Sequence, residues 1–250
     1  MAPTNLMGSG LEDVRIPMTD EQEGPKVGLV ISAHPDDAEF GAAGTVYSWV
    51  QKGWEFYYAI CTDGSKGSED PNMTADVLVP LRQKEQKAAA DVLGVKEVFF
   101  LDNVDGSLAY TTDFVRDVVR LIRRLKPHAV FSHDPNHIVR DMFINHPDHR
   151  AAGTVVLDAV YPLARNRPSF PELIEEGLEP YSAKEVYLWT ASNTNFDVDI
   201  TAALDKKLEA LACHKSQIED MEGMKQRLLQ FWSDTDGTYK ERFRRIVLPF

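Results

Sequence analysis

The 250-residue sequence predicts one α/β domain, with a Rossmann-like, doubly wound and mostly parallel sheet and helices on both faces. Three observations predict it. Short apolar runs such as Val27-Gly28-Leu29-Val30-Ile31 recur between segments of helical period, the pattern of strands joined by helical crossovers. Those runs are apolar at nearly every position, as strands buried on both faces must be. Gly53, Gly94 and Pro127 punctuate the joints, where glycine and proline stop helices.

The elements follow in order. Val27 to Ile31 is the first strand, leading into a helix from about Ala38 to Gln51. Phe56 to Cys61 is the second strand, followed by the polar loop Asp63-Gly64-Ser65-Lys66-Gly67-Ser68. A helix beginning near Pro80, a residue suited to a first helical turn, buries Leu81, Ala88, Ala89, Val92 and Leu93. Val98 to Leu101 form strand three. Thr112 then caps a helix with Val115, Val118, Val119, Ile122 and Leu125 on its apolar face and Arg116, Arg120, Arg123 and Arg124 on a solvated one. Strand four, Ala129 to Ser132, opens into a loop reaching Asn145, and a helix runs from Pro147 to about Tyr161. Residues 162–184, rich in Pro and Glu, read as a long surface loop. Strands at Val186–Trp189 and Phe196–Val198, helices at about 201–217 and 221–232, and a strand near Arg245–Leu248 complete a domain spanning 25–250.

Twenty-seven Lys and Arg stand against 39 Asp and Glu, a formal charge of -12 that repels phosphate backbones and anionic membranes. Neither nucleic acid nor a membrane is therefore an expected partner. Residues 1–24 form an acidic extension with Glu12, Asp13, Asp20, Glu21 and Glu23 against Arg15, lacking the basic start and apolar run of a signal peptide. No later stretch approaches the ~18 apolar residues of a membrane span. Cys61 and Cys213 cannot make a disulfide framework and read as thiols of a reducing compartment, so a cytoplasmic protein is expected.

Two motifs carry the chemistry. His34-Pro35-Asp36-Asp37 ends the first strand, and His146-Pro147-Asp148-His149 follows the fourth at a helix start. In a doubly wound sheet those strands flank the reversal of strand order, where ligands bind at the carboxyl ends. Two imidazoles and one carboxylate with an open position make a catalytic zinc shell. His34 and Asp37, three residues apart across a turn, can reach one point, which leaves Asp36 free to hold a water. Helix N-termini favour ionised Asp36 and Asp37 and a neutral His149. Either motif alone would read as an aspartate capping a helix; together, at converging strand ends, they favour a metal site. His133 and His137 are rival ligands without a helix start to orient them, and read as supporting residues. Arg82 and Glu85 are spaced as a surface ion pair, and His214 among Leu208, Leu211 and Ile218 as a core histidine.

These residues resemble the PIG-L/LmbE-like deacetylase family, which hydrolyses N-acetyl groups on glucosamine-containing molecules. The resemblance rests on Ala33-His34-Pro35-Asp36-Asp37 with Glu39 and Gly41, and on His146-Pro147-Asp148-His149. Arg82-x-x-Glu85, Asp105-Gly106-Ser107-Leu108 and His214-Lys215-Ser216-Gln217 support it. It implies zinc, with ferrous iron as the alternative, held by His34, Asp37 and His149. Asp36 would be the general base, and a protonated His146 would stabilise the oxyanion. Asp148 would orient His146 or tune its charge, while Arg82 and Asp105 would contact sugar hydroxyls. A small-molecule amino-sugar substrate and a homo-oligomer are further implications. One departure is Ile144, which stands where some members carry a tyrosine.

Other functions compete. A zinc amidase cleaving a larger acyl group, such as that of a thiol-glycoside conjugate, would use the same machinery. Two histidines and one carboxylate also describe the facial triad of a non-haem iron oxygenase, although Asp36 is placed to activate water. A non-catalytic ligand-binding module is disfavoured because no glycine-rich phosphate turn follows the first strand.

Overall fold

The computed structural model describes residues 24–140 and 143–249, so the expectation for the acidic extension falls outside the described residues except at Gly24. In chain order the elements are β1 (Val27–Ser32), α1 (Asp37–Val50), β2 (Glu55–Thr62), α2 (Ala75–Leu93), β3 (Glu97–Asn103) and α3 (Thr112–Leu125). Next come β4 (Ala129–His133), β5 (Val139–Arg140), β6 (Phe143–Ile144), α4 (Pro147–Asp158) and α5 (Pro171–Glu175). The chain closes with β7 (Glu185–Trp189), β8 (Phe196–Asp199), α6 (Leu204–Leu211), α7 (Met221–Trp232) and β9 (Lys240–Val247).

The main sheet has seven strands in the order β3-β2-β1-β4-β7-β9-β8. The first five run parallel, while β9 is antiparallel to both β7 and β8. Side chains alternate across a strand, so Leu29 and Ile31 enter one core with Val118, Val119, Val155 and Val156 of α3 and α4. Val30 enters the opposite core with Ala42, Val46, Ala89 and Leu93 of α1 and α2. All three β1 side chains are sealed from solvent, and each such burial stabilises the fold by about 1.5–3 kcal/mol. The doubly wound α/β architecture follows from this two-sided burial.

The structure corrects several boundaries. α2 starts at Ala75 with Pro80 inside it. The missing Pro80 amide would have bonded the Asp76 carbonyl, and that turn is exposed, so the carbonyl left without a donor is open to solvent. The buried face of α2 carries Arg82, Glu85 and Gln86, whereas Ala88 is exposed. Thr111, not Thr112, caps α3, its hydroxyl accepting the Phe114 amide at 3.2 Å. A hairpin of β5 and β6 occupies the stretch before Asn145. α4 ends at Asp158 and continues as a π-helical turn over Ala159–Leu163, kinked at Tyr161.

Arg123 is fully buried rather than solvated. Its guanidinium donates to the carbonyls of Leu163, Ala164, Asn166 and Ser169 at 2.9–3.2 Å, holding the chain that leaves α4 against α3. Residues 162–184 are accordingly anchored by this arginine, by α5 and by the buried Leu173 and Ala183, not draped as a plain loop. No helix among the described residues is long and apolar enough to cross a membrane.

Candidate active site

β1 and β4 are neighbours, so their carboxyl ends open on one crevice, and the two His–Asp motifs meet there. α4 is seated tightly against the end of β4. A Cβ on Gly153 would lie 2.4 Å from the His133 carbonyl oxygen, so only glycine allows the approach that brings His146 and His149 over β1.

Asp36 has φ 101° and ψ -29°, a left-handed conformation that costs a non-glycine residue about 1–3 kcal/mol. It occupies the N-cap position of α1 and makes no capping bond. Its carboxylate instead lies 3.3 Å from Arg82 Nη2. Asp37 turns the other way: its Oδ2 accepts the His34 amide at 2.7 Å and lies 3.2 Å from His34 Nδ1. Its Oδ1 is 3.2 Å from His149 Nε2.

The orientation of His149 is set by its neighbours. Asn145 Nδ2 donates to the His137 carbonyl at 2.8 Å, which fixes the amide and leaves Asn145 Oδ1 as acceptor for His149 Nδ1–H at 3.1 Å. His149 Nε2 then faces the Asp37 carboxylate at 3.2 Å. An imidazole oriented by a carbonyl on its far nitrogen is the usual arrangement of a metal ligand. His146 differs. Its Nδ1 accepts the Asp148 amide at 3.2 Å, so its ring proton sits on Nε2.

Three carboxylates converge on His34, because Asp105 Oδ1 and Asp148 Oδ2 each lie 3.2 Å from Nε2 while Asp37 holds Nδ1. Burial opposes charge on His34, but hydrogen bonds to Asp105 and Asp37 and their charges push it up to about 11. The cluster therefore demands positive charge, and a divalent cation meets that demand. Ring nitrogens of His34, His146 and His149 lie within 4.8 Å of one another, as do donor atoms of Asp37, His133 and His149. The expected set of His34, Asp37 and His149 is linked through Asp37, which both histidines approach. Burial and the Asp37 charge push Asp36 up to about 7, against Arg82, His214 and His34. Burial also works against the charge on Asp37, but His149 and His133 hold that carboxyl well below its usual range.

A consequence can be measured on protein stripped of divalent cations, where a proton on His34 is the cluster's cation. A folded-state pKa raised from 6.5 to about 11 adds stability that is complete below pH 6.5 and drains away as pH climbs toward 11. Stripped protein is expected to lose about 2 kcal/mol of stability between about pH 7 and 9, seen as a falling urea midpoint. Saturating zinc is expected to flatten that slope, and a flat midpoint in stripped protein would contradict the assignment.

Beside the cluster lies a pocket of about 360 Å³, lined by His34, Asp36, Lys66, Arg82, Asp105 and His146 among others. The family model described as PIG-L, GlcNAc-PI de-N-acetylase, matches residues 29–160. The chain belongs to the PIG-L family. The diacetylchitobiose deacetylase of Thermococcus kodakarensis is 34% identical over 192 residues, 77% of this chain and 70% of that one. A probable N-acetyl-alpha-D-glucosaminyl L-malate deacetylase 2 of Bacillus anthracis is 29% identical over 200 residues, 76% of this chain and 80% of that one. Among solved structures, N,N'-diacetylchitobiose deacetylase from Pyrococcus horikoshii superposes with a TM-score of 0.81 at 30% identity, covering 89% of this chain and 84% of that one. This PIG-L protein is thus an amide hydrolase of the N-deacetylase class.

Within that PIG-L site several residues differ from expectation. Burial and the charge of His34 push His146 down, and its Nδ1 is occupied as an acceptor, so a neutral Nε2–H donor replaces the expected protonated ring. Asp148 holds the His146 ring through its backbone amide, not through its carboxylate. Its carboxylate meets His34 and accepts the amides of Gly106 at 2.7 Å and Leu108 at 3.1 Å. Arg82 and Asp105 line the pocket and also bond protein groups, while Arg82 Nε has no partner among the described residues. Arg82 donates to the carbonyls of Gly64 at 2.9 Å and Pro35 at 2.7 Å, and Asp105 Oδ2 accepts the Lys66 amide at 3.0 Å. Arg82 and Glu85 do not pair on the surface; Glu85 is buried and holds Ser216 through its amide and hydroxyl. His133 accepts the Trp189 indole N–H on Nδ1 and places Nε2 3.5 Å from Asp37. Asn145 and Lys66 escaped the sequence reading. Asn145 stands four residues before His149, one helical turn away, and that spacing was the available signal.

Proposed function

We propose that the protein removes the acetyl group from an N-acetylglucosaminyl compound, using zinc held by His34, Asp37 and His149 and Asp36 as general base. The observation that carries this reading is the convergence of His34 and His149 on Asp37, with His149 Nδ1 held by Asn145, beside an Asp36 carboxyl pushed up to about 7. The named relatives supply the substrate class, since they are deacetylases of diacetylchitobiose and of N-acetylglucosaminyl malate.

When bound, zinc supplies Lewis acidity, which polarises an acetamide carbonyl and acidifies water near neutral pH. The remaining chemistry belongs to the chain. A carboxyl that titrates near 7 can take a proton from the attacking water and still release it to the departing amine nitrogen. That return matters because an amide nitrogen leaves only after protonation. His146 Nε2–H is a fixed donor for the carbonyl oxygen as negative charge develops there. Asp148 ties the turn Gly106–Leu108 to the first turn of α4, so the pocket wall and His146 are held by one carboxylate. Free amine and acetate are the products. The free thiols Cys61 and Cys213 support a cytoplasmic setting.

The test is amine release from N-acetylglucosamine, N,N'-diacetylchitobiose and N-acetylglucosaminyl malate, run beside N-propionyl and longer N-acyl analogues. Acetylated sugars are expected to turn over fastest. Cleavage confined to the longer acyl groups would replace this reading with the amidase.

A further inference from the structure

The conformation of Asp36 is imposed from α2. The Pro35 carbonyl and the Asp36 N–H are the two ends of one peptide group, and α2 holds both. Arg82 Nη2 donates to the carbonyl at 2.7 Å, and Gln86 Oε1 accepts the N–H at 2.9 Å. The two side chains are four residues apart, on one face of the helix. Asp36 needs such a hold, because its φ of 101° is unfavourable for aspartate and its own side chain caps nothing. A peptide free to rotate would return φ to negative values and swing the carboxylate away from the pocket.

Gln86 is itself oriented. Its Nε2 donates to Glu39 Oε1 at 2.9 Å, and the other Glu39 oxygen accepts from His214 Nε2 at 3.1 Å. Gln86, Glu39 and His214 are all 0% exposed, so the chain of contacts is dry and its amide cannot exchange partners with water. We infer that Gln86 is a positioning residue for the general base, acting through the Pro35–Asp36 peptide and aligned by Glu39 and His214. The inference rests on Asp36 being that base.

Gln86→Met keeps the volume and removes both hydrogen bonds. It is expected to lower kcat for N,N'-diacetylchitobiose roughly 10–100-fold, with KM within about twofold and bound metal unchanged. Gln86→Glu retains an oxygen for the Asp36 amide but sets a carboxylate against Glu39, and is expected to recover activity only in part and more at lower pH, where one of the two carboxyls is protonated. In a crystal structure of Gln86→Met, Asp36 should leave the positive-φ region. Gln86→Asn, one methylene too short for both partners, serves where the Met variant does not fold. Wild-type kcat in the Met or Asn variant, a loss proportional to lost metal, or unchanged φ with lost activity each overturns the inference. Asp36→Ala separates the two failures. Full activity in that variant defeats the base assignment itself, whereas an inactive Asp36→Ala beside a fully active Gln86→Met defeats only the clamp.

Discussion

Asp36→Ala is expected to lower kcat for amine release by roughly two orders of magnitude or more while the protein keeps its metal. Asp36 touches Arg82 and the pocket, whereas the neighbouring Asp37 faces His34 and His149. The substitution therefore removes a proton acceptor without opening the metal cluster. The backbone adds a complication, because alanine tolerates positive φ less well than aspartate. Asp36→Asn removes it: asparagine accepts the left-handed conformation and keeps the size, but takes no proton. Both variants should be impaired alike, with metal content near that of the parent by elemental analysis. An active Asn variant would show that backbone geometry, and not proton transfer, accounts for the loss in Ala.

Removing the divalent cation is expected to reduce activity by more than about a hundredfold, and one equivalent of zinc should restore it. His149→Ala should prevent that restoration at stoichiometric zinc. The ring faces Asp37, and without it only His34 remains beside that carboxylate from the expected set. Elemental analysis of purified protein, followed by chelation and separate readdition of zinc and ferrous iron, also decides which metal sustains turnover. Activity that survives exhaustive chelation would remove the metal from the reaction.

Much of the site was legible because it follows sheet topology. His34 and His149 are far apart in sequence, but strands one and four of a doubly wound sheet must adjoin, and each motif stands beyond one of them. The parts that were not legible depend on partners distant in sequence. Arg123 has the spacing of a solvated helix face, and only the carbonyls of the chain beyond α4 make its burial favourable. Pro80 looked like a helix start because proline suits a first turn, yet an exposed preceding turn tolerates it within the helix. His214 reads as a core histidine from its leucine neighbours. Its ion-pair partner Glu39 lies 175 residues away on α1, and no local pattern joins them. The direction of the Asp148 carboxylate was equally hidden, since adjacency to His146 in sequence does not decide which way a side chain turns.

The crowding of carboxylates around His34 makes metal loading an exchange reaction. A cation entering the cluster is expected to displace the proton that the three aspartates favour there, and uptake should then acidify the medium. Apparent affinity then weakens about tenfold for each unit that the pH falls within the range where His34 is protonated. Calorimetric heats of binding will include the ionisation heat of whichever buffer absorbs the proton. Metal affinities for this protein therefore have meaning only with pH and buffer stated, and at lower pH hydrogen ions are expected to compete with the metal for the same site.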